Sequence, residues 1–280
     1  MNRFELITPT DLKSASRLLG EKGNVALAGG VDVIDLLAQD LAAPKALVNL
    51  KGLRELNGIE TRPDGSLRIG ATVKLAEAAE HAVLRERFAA IAMAASEAAT
   101  PQIRNLATVA GNLLQRPRCW YFRNPAIRCL KKGGGKCYAI GGLNRYHAIL
   151  GGGPAFIVHP SNLAVALVAF GASAKITGAA GERTVELEKF FALPTVDPTR
   201  ENTLRPDEII TEVIVPPPRR GARSIYLEVR EKYSFDWPLV SVAVVAVLGP
   251  GSRIDEARVV MGAVAPIPWG AQEAEAALRG

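Results

Sequence analysis

The chain has 280 residues, enough for one large domain or two to three small ones. It is 48% hydrophobic and 22% charged, which excludes a disordered or fibrous protein. Its net charge of +6 is unevenly placed: ten Lys and Arg, from Arg104 to Lys175, fall between Glu97 and Glu182 with no carboxylate among them. A segment this one-sided expects an anionic partner, such as a phosphate, a nucleic acid, an acidic protein face or an anionic metal cluster.

The first sixty residues alternate strand and helix. Thr8-Pro9 reads as a helix start, followed by an apolar stripe at Leu12, Ala15, Leu18 and Leu19. Val25 to Ala28 is a short strand, Gly29-Gly30 a turn, Val31 to Ala38 a helix and Ala46 to Leu50 a second strand, a βαβ-like order. Leu67 to Ala71 begins a second segment. Two Ala-rich helices follow, about 74–82 and 86–99, ending near Pro101. Residues 116–153 are too long for an ordinary connection and read as a functional or disordered loop. Ser161 caps a helix over 162–170. Beyond Gly178, four strand candidates at 209–215, 224–229, 239–248 and 254–263 suggest an antiparallel meander. The helix from Ala271 is still in pattern at Leu278, so a further helical piece is expected and the C-terminal unit is read as truncated. The longest apolar runs, 163–170 and 239–248, are too short to cross a bilayer, and no membrane insertion is expected. The N-terminus shows no apolar stretch of a secretory leader.

Two small-residue turns can approach phosphates. In Ala28-Gly29-Gly30-Val31-Asp32-Val33 the paired glycines let backbone N–H groups come close, and the helix start adds a favourable dipole. In Thr108-Val-Ala-Gly111-Asn112-Leu113 a hydroxyl and an amide add hydrogen bonds. Either turn alone is equally a steric necessity; together they suit a ligand with two phosphates. All three cysteines, Cys119, Cys129 and Cys137, lie in the basic loop. An odd count argues against a closed disulfide framework, and the spacing is too loose for a zinc knuckle but tolerable for an iron–sulfur cluster. Three unrelated thiols are the alternative. The basic residues interleaved with Trp120, Tyr121, Phe122, Tyr138 and Tyr146 also allow a stacking groove for nucleic acid. His147 and His159 read as structural, and Trp237 and Trp269 as packing. No acid–base pair or nucleophile triad is evident.

Five segments in order carry a family resemblance: 28–33, 108–113, His159-Pro-Ser-Asn-Leu-Ala-Val-Ala166, Asp207 to Pro216 and Ser234-Phe-Asp-Trp-Pro-Leu-Val-Ser-Val-Ala243. Over essentially its whole length the chain resembles the FAD-binding medium subunits of molybdenum hydroxylases, the xanthine dehydrogenase and carbon monoxide dehydrogenase group. Residues 115–153 resemble those of a narrower branch, with 4-hydroxybenzoyl-CoA reductase and periplasmic aldehyde oxidoreductase, whose insert carries a 4Fe–4S cluster. The resemblance implies an α+β fold of the vanillyl-alcohol-oxidase type. A two-part FAD-binding domain is expected over 1–177 and an antiparallel-sheet domain over 178–280. It implies FAD held by Leu27, Ala28, Gly29, Gly30, Val31, Asp32 and Val33, by Thr108, Gly111 and Asn112, and by Asn162, with Ile210 beside the ring. Cys119, Cys129 and Cys137 would ligate the cluster. Ala155 stands where the branch has its fourth cysteine, leaving another ligand, a three-iron cluster or an empty loop. Glu228 stands near the flavin where relatives have Lys. The implied role is electron transfer through FAD between an external acceptor and two partners, a large molybdopterin subunit and a small 2Fe–2S subunit. The expected location is the cytoplasm, or the periplasm if a partner exports it. No nucleic-acid partner is expected under this reading. A flavin-free scaffold of the same fold is the alternative, and a basic nucleic-acid-binding protein the more distant one.

Overall fold

The computed structural model describes residues 2–232 and 235–280. Ser234, the first residue of the fifth resemblance motif, lies outside them.

The chain opens with β1 (Glu5–Ile7), α1 (Leu12–Gly20), β2 (Asn24–Leu27), α2 (Val31–Ala38) and β3 (Ala46–Asn49). β1 and β2 both pair in parallel with β3, giving the order β1-β3-β2. The βαβ expectation therefore holds. Helix α1 starts later than Pro9, because Asp11 forms a reciprocal capping box with Ser14. A small core of Leu27, Leu37 and Leu47 joins α2 to this sheet.

A second part contains β4 (Ile59–Thr61) and β5 (Leu67–Gly70). Helices α3 (Leu75–Glu80), α4 (Ala82–Arg87), α5 (Ala89–Glu97), α6 (Pro101–Arg104) and α7 (Val109–Leu113) follow. After the insert, which includes α8 (Trp120–Arg123), come α9 (Asn162–Ala169), β6 (Ser173–Gly178), β7 (Gly181–Glu186), α10 (Leu187–Phe190) and β8 (Ile209–Val215). The sheet order is β4-β5-β8-β6-β7.

Two expectations need correction here. Ile209–Val215 does not open a meander; it lies between β5 and β6, with Val213 opposite both Ile69 and Ala174. Its side chains are buried at six of seven positions, as a central strand requires. The expected division at 177/178 consequently falls inside β6, and a division after Val215 keeps every sheet whole.

The last part is the antiparallel sheet β9 (Ala222–Val229), β10 (Val240–Leu248), β11 (Ile254–Gly262) and β12 (Trp269–Gly270), followed by α11 (Gln272–Leu278). Its inner face carries Tyr226, Ala243 and Val260, which join the same core as α5 and α9. The approach is close. A Cβ on Gly262 would lie 2.6 Å from Val165 Cγ2. Sheet and helix thus form one packed body, with a cleft left between α9, the insert and the start of β10. No helix among the described residues is long and apolar enough to cross a membrane.

Candidate functional site

The two glycine turns meet. A Cβ on Gly29 would lie 2.3 Å from the carbonyl oxygen of Leu106 and 3.1 Å from Ala107 Cα. Only a residue without a side chain allows this contact. Gly30 has φ +81° and caps α2 without a side-chain hydrogen bond, so no side chain of Gly30 competes for the first-turn N–H groups of α2. Thr108 is 1% exposed, and its Oγ1 accepts from Gly111 N at 3.2 Å, which sets the second turn. Buried Asn112 is held by Ser161, whose hydroxyl donates to Asn112 Oδ1 at 2.5 Å. Leu27 to Gly30, Thr108, Gly111 and Asn112 are therefore brought to one place.

Beside them lies a cavity of about 590 Å³. Its walls are Arg118, Trp120, Tyr146 and His147 of the insert, His159 to Asn162 before and at the start of α9, and Trp237 to Leu239 with Ser241. The Arg118 guanidinium stacks over Trp237 at 5.2 Å. Tyr146 donates to Glu231 at 2.7 Å and so ties the insert to the segment after β9. His159 is fully enclosed, and burial pushes its pKa down to about 3, so it is neutral. Its Nδ1 accepts from Ser161 N at 3.4 Å, which leaves the ring proton on Nε2. His147, His159 and Trp237 read as structural in the sequence, yet all three line this cavity. His159 and Trp237 stand inside two of the resemblance segments, but no acid–base or ligand partner near them in the sequence marks their side chains.

Three expected site residues do not line the cavity. Asp32 turns its carboxylate to the insert. It pairs with Arg118 at 2.5 Å and Arg123 at 2.9 Å, and accepts from Arg116 N at 2.8 Å. Ile210 is 2% exposed in β8, opposite Ile176, and is a core residue that does not line the cavity. Glu228 does not line the cavity either, but accepts from Asn162, which does. Val31 and Val33 are half-buried in the first turn of α2, Val33 against the small core.

Six of the ten cations of the basic segment meet carboxylates of the same chain, Arg118 as above. Arg116 and Lys131 pair with Glu201 at 3.0 and 2.6 Å, and Arg123 with Asp35 at 2.8 Å. Lys175 pairs with Glu182 at 2.8 Å, and Arg145 with Glu231. Lys131 and Glu201 are both buried, so this pair pins the insert to the loop before β8. The aromatics of the proposed stacking groove pack on one another, Trp120 on Tyr146 and His147 at 5.6 and 5.3 Å and Tyr121 on Tyr138 at 6.0 Å. A nucleic-acid groove would need these rings and cations free.

The cysteines give an incomplete donor set. Burial raises the Cys119 thiol, and the nearby Cys129 and Cys137 add to the rise, so the three share one neighbourhood. Cys119 Sγ lies 3.2 Å from His147 Nε2. Among the described residues, no three His, Cys, Asp or Glu converge on the site of a metal ion. Ala155, 1% exposed, offers no donor. The residues present do not complete the four-ligand set of a cubane cluster.

Comparison with known proteins agrees with this geometry. Residues 2–218 match the family model of the FAD binding domain in molybdopterin dehydrogenase, and residues 225–280 that of the CO dehydrogenase flavoprotein C-terminal domain. The chain belongs to the FAD-binding subunits of the molybdenum hydroxylase family. It is similar to the aldehyde oxidoreductase FAD-binding subunit PaoB of Escherichia coli, with 39% identity over 95% of this chain and 81% of that subunit. It is also similar to the carbon monoxide dehydrogenase medium chain of Hydrogenophaga pseudoflava, with 26% identity over 94% of this chain and 76% of that one. The solved carbon monoxide dehydrogenase of that organism superposes with a TM-score of 0.76 at 26% identity, over 100% of this chain and 81% of that chain.

The cradle fits the cofactor that the family binds. The turns meet where a Cβ would block them, and the adjoining cavity has the volume of a small-molecule site.

Proposed function

We propose that this chain seats FAD with its pyrophosphate on the two glycine turns and its ring system in the 590 Å³ cavity. There it would pass electrons between a partner complex and an external acceptor. The observation that carries the reading is the packing of Gly29 on Leu106, which sets an uncapped helix start against the Thr108 turn, whose Asn112 is bonded to Ser161 of the cavity wall. Bound FAD supplies the redox chemistry. The chain's own residues bind and orient. Backbone N–H groups at Gly30 and the first turn of α2 meet the phosphates, where the helix dipole favours negative charge. Trp120 and Trp237 line the cavity, and Arg118 stacks over Trp237 while held by Asp32. Neutral His159 brings no charge to the ring site at physiological pH.

The partners in this reading are a large molybdopterin subunit and a small 2Fe–2S subunit, as befits a chain similar to a FAD-binding subunit and a medium chain. No electron step is assigned to the cysteine loop, where no three metal-ligating side chains converge among the described residues. Iron and acid-labile sulfide assays on the purified complex address that point: a full four irons in this chain would contradict the incomplete donor set. The seating of FAD is tested with Leu239→Trp, which enlarges an exposed residue of the cavity wall away from the glycine turns. FAD affinity should fall at least 10-fold, roughly 1.4 kcal/mol. Unchanged affinity and an unchanged flavin spectrum would place the ring elsewhere.

A further inference from the structure

Asn162, the first residue of α9, is 7% exposed and lines the cavity. Its Nδ2 lies 2.7 Å from Glu228 Oε2 and 2.9 Å from Tyr226 Oη, and Tyr226 Oη lies 2.8 Å from the same Glu228 oxygen. A carboxylate only accepts, so both the amide N–H and the phenol O–H must point at it. The phenol oxygen, 2.9 Å from the same nitrogen, accepts from it as well. The amide nitrogen is thus engaged on the side away from the cavity, since neither Tyr226 nor Glu228 lines it. What Asn162 shows the cavity is its carbonyl edge. Glu228 cannot swing away. Its side chain is 5% exposed and its other oxygen pairs with Arg230, which also binds Glu97 Oε2 at 2.9 Å.

We infer that Glu228 is a positioning residue: it fixes the Asn162 carboxamide so that Oδ1 faces the cavity as a hydrogen-bond acceptor and selects a ring that offers an N–H. The inference rests on the reading that the flavin ring occupies this cavity. An oxidised isoalloxazine carries one N–H, at N3, and this is the group that complements Oδ1. A ring without it leaves the acceptor buried and unpaired.

The test uses the full chain stripped of flavin and titrated with FAD or with N3-methyl-FAD, followed by flavin fluorescence. The wild-type protein should bind the methylated cofactor roughly 10-fold more weakly. Glu228→Gln keeps an acceptor for Asn162 Nδ2 and should keep that ratio. Glu228→Lys offers only donors, so the amide turns its oxygen toward the ammonium and presents Nδ2 to the cavity; the ratio should fall to about 2-fold. Glu228→Met, with neither donor nor acceptor, gives the same fall without a buried cation and serves if the Lys variant does not fold. Ratios equal to wild type in the Lys and Met variants would overturn the inference while leaving the seating of FAD intact. If Asn162→Ala leaves FAD affinity and spectrum unchanged, the ring is not in this cavity, and both fail together.

Discussion

Replacing Gly29 by Ala should damage folding and cofactor binding together. The new Cβ would sit 2.3 Å from Leu106 O and 3.0 Å from its carbonyl carbon. Ordinary carbon–oxygen contacts begin near 3.3 Å, so the turns must part by roughly 1 Å. The Leu106 side cannot yield easily. Leu106 N donates to Ile103 O at 3.0 Å, Leu75 N donates to Ala107 O at 3.0 Å, and Val109 N donates to Val73 O at 2.9 Å. Lys74 Nζ donates to Leu106 O at 3.1 Å. The Gly29 turn must therefore move, and with it the start of α2. Overpacking of this kind costs about 1–3 kcal/mol, or roughly 2–10 °C in melting temperature for a chain of this size. Displaced N–H groups should also weaken FAD binding roughly 10-fold or more. Melting with and without FAD reads both effects. Gly135→Ala is the control, because a Cβ there meets nothing within 4 Å. It should stay within roughly 0.5 kcal/mol of wild type. A Gly29→Ala protein with wild-type melting and FAD affinity would refute the argument from close approach.

Lys131→Met leaves Glu201 buried with Arg116 alone and should cost about 3 kcal/mol in urea unfolding, where an unchanged midpoint would count against the pinning role of this pair. Asp32→Asn removes the charge that gathers Arg118 and Arg123, so limited trypsin digestion should cut the insert faster than in wild type; equal rates would show that the insert is held by other contacts. His159 makes the fold sensitive to acid. The folded pKa of about 3 lies below the ordinary value of 6.5, so between these values the unfolded chain binds a proton that the folded chain does not. Its contribution is complete above pH 6.5 and is lost as pH falls toward 3, about 2 kcal/mol of it by pH 5. His159→Gln should flatten that part of the stability profile, and an unchanged slope between pH 7 and 5 would remove His159 as its source.

Local features of this protein were legible because their physics is local. A strand, two glycines and an apolar helix within fifteen residues can do little but form a turn with free N–H groups, and α2 lies where the pattern puts it. Ser161 caps α9 as expected. Partners distant along the chain were not legible. A run such as Ile209–Val215 announces a strand, but not that it inserts between β5 and β6. β6 and β7 pair as a hairpin around Gly178 and Gly181, where the sequence offers no strand candidate. The basic segment showed its charge plainly, yet the carboxylates that answer it, Asp32 and Glu201, approach only in the folded chain. Glu228 was visible as a departure from its relatives. Its effect became clear only when the fold set it 2.7 Å from Asn162.

FAD held by this chain in a redox-active site would colour the protein. The most direct measurement is the visible spectrum of the purified, FAD-supplied protein after removal of free flavin, before and after dithionite. One flavin per chain is expected, with resolved bands that bleach on reduction and return in air. A colourless protein with all flavin in the filtrate would contradict it.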